Sequence, residues 1–361
     1  MTNMENLNRR YNTMSVNQLL SMPTKRIEYI DAMRGFTMIL VVLAHVATFC
    51  MGLEGVPQYH PYLRIFRMPL FFFISGFVLY KDGVVWNLQH IGKFLKKKFS
   101  VQIIPTAIFF TIAVYISQAS FIEKMTASSK AGYWYTYTLF IYFVFYSIIR
   151  FVFRNKEDYA ILVFAAFFYI INRSTLYDAI PLSDCVKNTL SIEKWYYFCF
   201  FLIGTLVKKH FGVVQKILDK DVSLMVCALL FFLLNIFSDF VPNNGIIGIV
   251  SSFCNRMSGI LIVFAFFRKN QSWFTQEKRI GRSLQYIGRR TLDIYLLHFF
   301  FLPKQMSQIV TVFRDFPMPV IEFVWSLVVA LIIIAFCLII SNVLRLSPTL
   351  AHLLFGARKE K

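Results

Sequence analysis

The stretch from Tyr29 to Val46 reads YIDAMRGFTMILVVLAHV and predicts a membrane-spanning helix that carries two ionisable residues, Arg34 and His45. The two lie eleven positions apart. At about 100° per residue this is roughly three turns plus 20°, so both side chains share one face. At about 1.5 Å of rise per residue, they lie roughly 16 Å apart along the helix axis. Because ionisable groups at membrane depth are costly and mark functional sites, this pair guides the functional interpretation.

The composition indicates a polytopic membrane protein. Of the 361 residues, 57% are hydrophobic and only 16% are charged, and soluble domains carry more charge than this. The net charge of +19 is spread over alternate loops rather than one patch, which argues against a nucleic-acid partner. The six cysteines have no metal-ligand spacing, so we expect small buried apolar residues and no metal site.

The hydropathy pattern predicts an all-α fold with about ten transmembrane helices. The expected spans are 30–51, 64–80, 99–120, 134–150, 159–172, 191–207, 222–240, 246–267, 291–303 and 320–343. The fifth and ninth are short enough for tilted, broken or interfacial helices. With the N-terminus inside, the inside segments hold about 27 basic residues and the outside loops about 9, so both termini are predicted to be cytoplasmic.

The chain divides into three expected segments. Residues 1–24 are polar and rich in Asn, Ser and Thr, which predicts a disordered cytoplasmic leader. Residues 25–345 form the transmembrane domain, and residues 346–361 form a basic cytoplasmic tail. No stretch resembles a soluble catalytic domain, so any chemistry is expected in the membrane part.

Two further polar residues of the first span, Asp31 and His45, are functional candidates together with Arg34. Asp31 precedes it by three positions on the same helical face, where a carboxylate neutralises and orients the guanidinium, or where the two form a plain anchoring pair at the interface. His45 lies past the middle of the span. It is a candidate general base, because histidine has an unperturbed pKa near neutrality, or else a neutral side chain bonded to a neighbouring helix.

Three later spans contain further polar candidates. Ser75 lies in the second span, where Ser-Gly also allows simple close packing. We single out Arg256 in the eighth span, which binds an anionic ligand group or forms a structural pair with Asp239 or Asp293.

The ninth span begins with a basic pair and continues with polar residues. Arg289 and Arg290 also fit positive-inside flanking, but the following Asp293, Tyr295 and His298 are too polar for a lipid-facing segment.

In this order and spacing, the motifs resemble acyltransferase family 3, a group of integral-membrane acyltransferases. The first element is the Asp-x-x-Arg-Gly sequence that begins at Asp31, with His45 eleven residues after Arg34. The others are PLFFFISGF at 69–77, the basic stretch 96–98 leading to Pro105, Trp134-Tyr135, and IGRRTLDIYLLH at 287–298. The chain departs from the family at one place. Members often carry two arginines three apart before that proline, whereas this chain has Lys98 and Val101, a point charge and no charge.

The resemblance implies an O-acetyltransferase-like enzyme, in a multi-pass bacterial inner-membrane protein that modifies polysaccharides. It would move an acyl group, commonly acetyl, from cytoplasmic acyl-CoA, bound as a substrate and not as a permanent cofactor, to a hydroxyl of a carbohydrate or lipid-linked sugar. His45 would act as general base or transient acyl carrier, with Arg34 and Asp31. The expected acyl-CoA contacts are Arg34, Lys98, Arg289 and Arg290. The candidates for the oxyanion or the acceptor path are Ser75, Arg256, Tyr295 and His298.

Two alternatives stay open at this point. A transporter or flippase of acylated or lipid-linked saccharides also fits ten spans with buried Arg and His, although no pair of similarly interrupted segments marks two inverted halves. A non-catalytic membrane scaffold would tolerate substitution of Arg34 and His45.

Overall fold

The structure, a computed structural model, describes residues 27–50, 59–154, 156–237, 245–303, 311, 313 and 318–357, and in these residues all regular secondary structure is helical. This confirms the all-α prediction. The predicted leader at 1–24 lies outside the described residues. We number the helices α1 (Glu28–His45), α2 (His60–Leu79), α3 (Leu88–Lys98), α4 (Ile104–Ile116), α5 (Phe121–Thr126), α6 (Trp134–Val152), α7 (Glu157–Arg173), α8 (Asp184–Thr189), α9 (Tyr196–Lys209), α10 (Phe211–Leu218), α11 (Asp221–Ile236), α12 (Gly245–Lys269), α13 (Arg279–Arg289), α14 (Thr291–Leu297), α15 (Pro319–Leu344) and α16 (Pro348–Phe355).

Six continuous helical segments among the described residues are long and apolar enough to cross a membrane. They agree with six of the predicted spans. The segments are Glu28–Cys50, His60–Leu79, Leu88–Ile116, Trp134–Val152, Gly245–Lys269 and Pro319–Leu344.

The other four predicted spans are short or bent. Helices α7 and α11 have 17 and 16 residues, or about 24–26 Å, which is less than a hydrocarbon core of about 30 Å. Helices α9 and α10 meet at 97° and count as a seventh span only if the bent pair crosses as one. Helix α14 has seven residues and passes into a 3₁₀ turn at His298–Phe300. That ten helices cross the membrane and that both termini are cytoplasmic remain predictions.

Helix α1 lies at the centre of the bundle. Of its apolar window, 67% is buried inside the protein, compared with 28% for α15. Acidic Glu28 and Asp31 lie in its first turn, where they complement the helix dipole. Because α1 is surrounded by protein, its ionisable side chains face other helices rather than lipid.

Two glycines allow α1 and α13 to touch through their backbones. A Cβ at Gly35 would lie 2.0 Å from the carbonyl oxygen of Leu284, and a Cβ at Gly288 would lie 1.9 Å from that of Asp31. Small residues at helix interfaces permit this close approach in membranes. The contact fixes the start of α14, which follows α13 directly, beside α1.

A second pair of glycines joins α2 to α9 in the same way. A Cβ at Gly76 would lie 1.9 Å from the carbonyl oxygen of Phe201, and a Cβ at Gly204 would lie 2.1 Å from that of Phe73. This contact holds α2 against α9.

The cysteines are all free, and their burial differs. Cys50, Cys199 and Cys337 are buried, and Cys227 and Cys254 are partly buried. The expectation of a buried residue is wrong for Cys185, which is exposed because it lies on the short helix α8 outside the apolar spans.

The glycine contact predicts a sharp difference between two substitutions. Gly288→Ala should lower the midpoint of thermal unfolding in detergent, because overpacking against a backbone carbonyl costs about 1–3 kcal/mol. Gly92→Ala is the control, since a Cβ at this helical glycine meets nothing within 4 Å, and alanine is the better helix former. Equal midpoints for the two variants, measured by fluorescence-detected size exclusion after heating, would contradict the packing argument.

Candidate functional site

Arg34 and His45 both contact the segment that begins with α14, which confirms that they share a face of α1. Nη2 of Arg34 donates a hydrogen bond to Oγ1 of Thr291 at 3.1 Å, and its Nη1 lies 3.6 Å from Oδ1 of Asp31. The predicted pair of Asp31 with Arg34 therefore forms.

His45 and His298 form a hydrogen-bonded pair at the far end of α1. Nδ1 of His45 lies 2.9 Å from Nε2 of His298, and Nδ1 of His298 lies 3.0 Å from the carbonyl oxygen of Ile294. His298 is fully buried. A π-helical turn, Val46–Cys50, follows His45 directly, and such turns are frequent at functional sites.

A basic cavity of about 560 Å³ lies beside the start of α1, and we call it the entrance cavity. None of the described residues that line it is acidic. Its basic lining residues are Arg34, Lys81, His90, Lys93, Lys97 and Lys98. A cavity with this lining favours an anionic ligand.

Two smaller cavities continue from it toward His45. The central cavity, about 170 Å³, shares Arg34, Ser75 and Lys98 with the entrance cavity. The histidine cavity, about 60 Å³, is lined by His45 and shares Tyr135 and Tyr295 with the central cavity. We call the lysines of the entrance cavity, Lys81, Lys93, Lys97 and Lys98, the lysine cluster. The three cavities therefore form one series from the lysine cluster to His45.

The hydroxyl groups of Tyr295, Ser75 and Tyr135 along this series already have acceptors within the protein. Tyr295 donates to the carbonyl oxygen of Gly132 at 2.9 Å. Ser75 donates to the carbonyl oxygen of Phe71 at 2.9 Å, so the hydroxyl of Tyr135, 2.9 Å from Oγ of Ser75, is the donor in that contact. Their hydrogen bonds hold in place the side chains that form the cavity walls.

Lys98 lies where the entrance and central cavities meet, with Nζ 4.3 Å from the centre of the Phe143 ring. Val101 also lines both cavities. Position 101, at which relatives often have a second arginine, therefore lines both cavities with an uncharged side chain. Lys93 and Lys97, neither of which was a sequence-based site candidate, supply charge to the entrance cavity instead.

Arg289 and Arg290 do not line these cavities. Nε of Arg289 donates to the carbonyl oxygen of Gln285 at 3.2 Å. Nη1 of Arg290 lies 3.3 Å from the Asp293 carboxylate, which also accepts two bonds of 2.8 Å from Arg345. Their predicted acyl-CoA contact stays a prediction.

Arg256 also lies away from the three cavities. Its Nη1 donates to the carbonyl oxygen of Ser252 at 2.9 Å and contacts that hydroxyl, and the Tyr169 hydroxyl lies 3.5 Å away. The alternative pairing with Asp293 is wrong, because Asp293 bonds Arg345 and Arg290. Asp239 lies outside the described residues. A role for Arg256 in acyl transfer stays a prediction.

Sequence reasoning missed Arg67, which lines the histidine cavity together with His45. It lies three residues inside the predicted span 64–80, where basic residues usually mark the membrane interface. The signal that could have found it is the one applied to Arg34, namely an ionisable residue within a span.

Comparison with protein families agrees with this geometry. The family model described as an acyltransferase domain matches residues 27–342, nearly the complete chain. Comparisons with the curated proteins and with the solved structures found no match. The match contains every residue that lines the three cavities. The chain therefore belongs to acyltransferase family 3 and is an acyltransferase.

Proposed function

We propose that this protein transfers an acetyl group from cytoplasmic acyl-CoA to a hydroxyl of a carbohydrate or lipid-linked sugar in the bacterial inner membrane. The observation that carries the proposal is the series of cavities from the lysine cluster to His45. Family membership favours this enzyme over the transporter considered above.

The charge of the entrance cavity fits the donor. Coenzyme A carries several phosphate charges and does not cross a bilayer, so it enters from the cytoplasmic side, where the basic residues are expected. Lys98, Lys97 and Arg34 bind its phosphates by charge-assisted hydrogen bonds. The pantetheine arm then extends along α1 through the central cavity, over the roughly 16 Å that separate Arg34 from His45.

Among the described residues, the hydrogen bonds around His45 leave its Nε2 without a partner, so that it can act as a base. A carbonyl oxygen only accepts, so Nδ1 of His298 carries the proton that bonds Ile294. Nε2 of the neutral His298 is then an acceptor, and the proton between the rings belongs to Nδ1 of His45. His45 therefore presents an unprotonated Nε2, which takes a proton from the acceptor hydroxyl or carries the acyl group transiently.

The size and lining of the histidine cavity support the choice of substrates. At about 60 Å³ it is the smallest of the three, which favours a short acyl group. Trp134 lines it and stacks on Tyr197 with ring centroids 6.0 Å apart. Amphipathic aromatic rings of this kind pack well against the apolar faces of sugars.

Loss of the base should stop the reaction. We expect His45→Gln to lower the rate of acetyl-CoA-dependent transfer by about 10²–10⁴-fold, the usual contribution of a general base. The rate is measured as release of the free thiol of coenzyme A by purified protein in detergent. His352→Gln, on α16 outside the cavities, is the control and should retain wild-type activity. A well-folded His45→Gln variant with full activity would refute the catalytic role.

Loss of Lys98, which lies where two cavities meet, should weaken binding of the acyl-CoA donor. Lys98→Gln should raise the Kd of acetyl-CoA by about 10- to 150-fold, because a hydrogen bond to a charged group contributes about 1.5–3 kcal/mol. The same variant should bind S-acetylpantetheine, which lacks the nucleotide phosphates, as wild type does. Lys216→Gln, an exposed residue of α10, is the control. An equal loss for both donors would contradict phosphate binding at Lys98.

Removing the acceptor nitrogen of His298 should allow His45 to adopt its other tautomer. In ¹⁵N NMR spectra of labelled protein, His45 should carry its proton on Nδ1, whereas in His298→Phe the Nε2–H form should be populated. The kcat should fall by up to about 10⁴-fold, as when a histidine base in a serine-protease triad loses the partner that fixes its tautomer. An unchanged tautomer in the variant would contradict the assignment.

A further inference from the structure

We propose that Arg67 is a catalytic residue, whose guanidinium binds the oxyanion that forms during acyl transfer. This rests on the proposed function, since it adds a group to the same site. Arg67 lies on α2 and lines the histidine cavity with His45, Trp134 and Tyr135.

Arg67 is partly buried as a residue, and two of its guanidinium donors are buried and available. Its Nε and Nη1 atoms are inaccessible to solvent and have no hydrogen-bond partner among the described residues. The titratable groups that interact with it are Tyr197, Arg64, His45 and His60. None of these is a carboxylate. Leaving a buried charge uncompensated costs several kcal/mol in general. An anion that forms in the cavity during the reaction would compensate this charge.

The other four sequence-based candidates for the oxyanion either already use their donors or lie elsewhere. The hydroxyl proton of Tyr295 bonds the Gly132 carbonyl, and that of Ser75 bonds the Phe71 carbonyl. The one N–H of neutral His298 bonds the Ile294 carbonyl. Arg256 lies away from the three cavities. Among the residues that the structure describes, Arg67 is the cation on the wall of the histidine cavity that still has donors available.

The chemistry needs a donor at this place. Nε2 of His45 takes the proton of the acceptor hydroxyl while that oxygen bonds the thioester carbonyl carbon. The carbonyl electron pair moves to its oxygen, and this oxyanion accepts hydrogen bonds from Nε and Nη1 of Arg67. When the electron pair returns, the carbon–sulfur bond breaks, and the thiolate of coenzyme A takes the proton from His45. The products are the ester and free coenzyme A, and His45 and Arg67 are regenerated.

The test compares Arg67→Met and Arg67→Lys with a matched control. Arg64→Met makes the same change one helical turn earlier, at an exposed position. For each purified variant, four quantities are measured: the rate of transfer to the acceptor, the rate of acetyl-CoA hydrolysis by water, the Kd of acetyl-CoA and the midpoint of thermal unfolding. Hydrolysis passes through the same oxyanion without any acceptor.

We expect Arg67→Met to lower transfer and hydrolysis by the same factor, about 10²–10³, the usual effect of losing an oxyanion donor. The Kd of acetyl-CoA should stay within twofold of wild type. The thermal midpoint should not fall, because the variant removes an unpaired buried charge. Arg67→Lys should recover part of both rates, and Arg64→Met should resemble wild type.

Different outcomes overturn different parts of the argument. If only transfer falls and the KM of the acceptor rises, Arg67 binds a fixed anionic group of the acceptor, and the oxyanion assignment is wrong. If Arg67→Met unfolds and Arg67→Lys restores stability without activity, the role is structural. Undiminished rates in Arg67→Met refute the assignment while the proposed function stands. A wild-type protein that neither transfers nor hydrolyses acetyl-CoA refutes the proposed function and this inference together.

Discussion

The close backbone contact between α1 and α13 is the constraint on which the site depends. Gly35 and Gly288 let the two helices approach until a single added methyl group on either would overlap a carbonyl oxygen of the other. Because α14 continues directly from α13, this contact also sets where Thr291 and His298 lie along α1. The hydrogen bonds from Arg34 to Thr291 and from His45 to His298 follow from that placement. Two ends of one central helix are thereby connected to one neighbouring segment.

The ionisable groups within the helical bundle divide into two classes according to what neutralises them. Arg256 and the cluster around Asp293 are satisfied by neighbouring protein groups, as buried charges in a packed interior must be. The cations that line the cavities have few such partners, and the entrance cavity has no acidic lining among the described residues. Arg67 is the extreme case, with two buried donors unpaired. Groups of the first class hold the fold together, and those of the second class are available to a ligand.

Local features of the sequence were enough to find much of the fold and part of the site. Six of the predicted spans coincide with helices of sufficient length, because hydropathy and helix period depend only on neighbouring residues. The remaining four did not form long helices, since a bend of 97° between α9 and α10 or the break after α14 depends on packing against other helices. Arg67 was missed for a related reason: near the end of a span, a basic residue reads as an interface anchor unless its surroundings are known.

By itself, the sequence determined that the protein is an all-helical membrane acyltransferase and that Arg34 and His45 lie on one face of its first helix. The 3.6-residue period settles which residues share a face, and family motifs settle the kind of chemistry. Only the tertiary structure decided that His298 is the partner of His45, that Lys93 and Lys97 join Lys98 at the entrance, and that Arg256 lies elsewhere. These facts depend on contacts between residues far apart in the chain, which are set by how the helices pack and not by any local pattern.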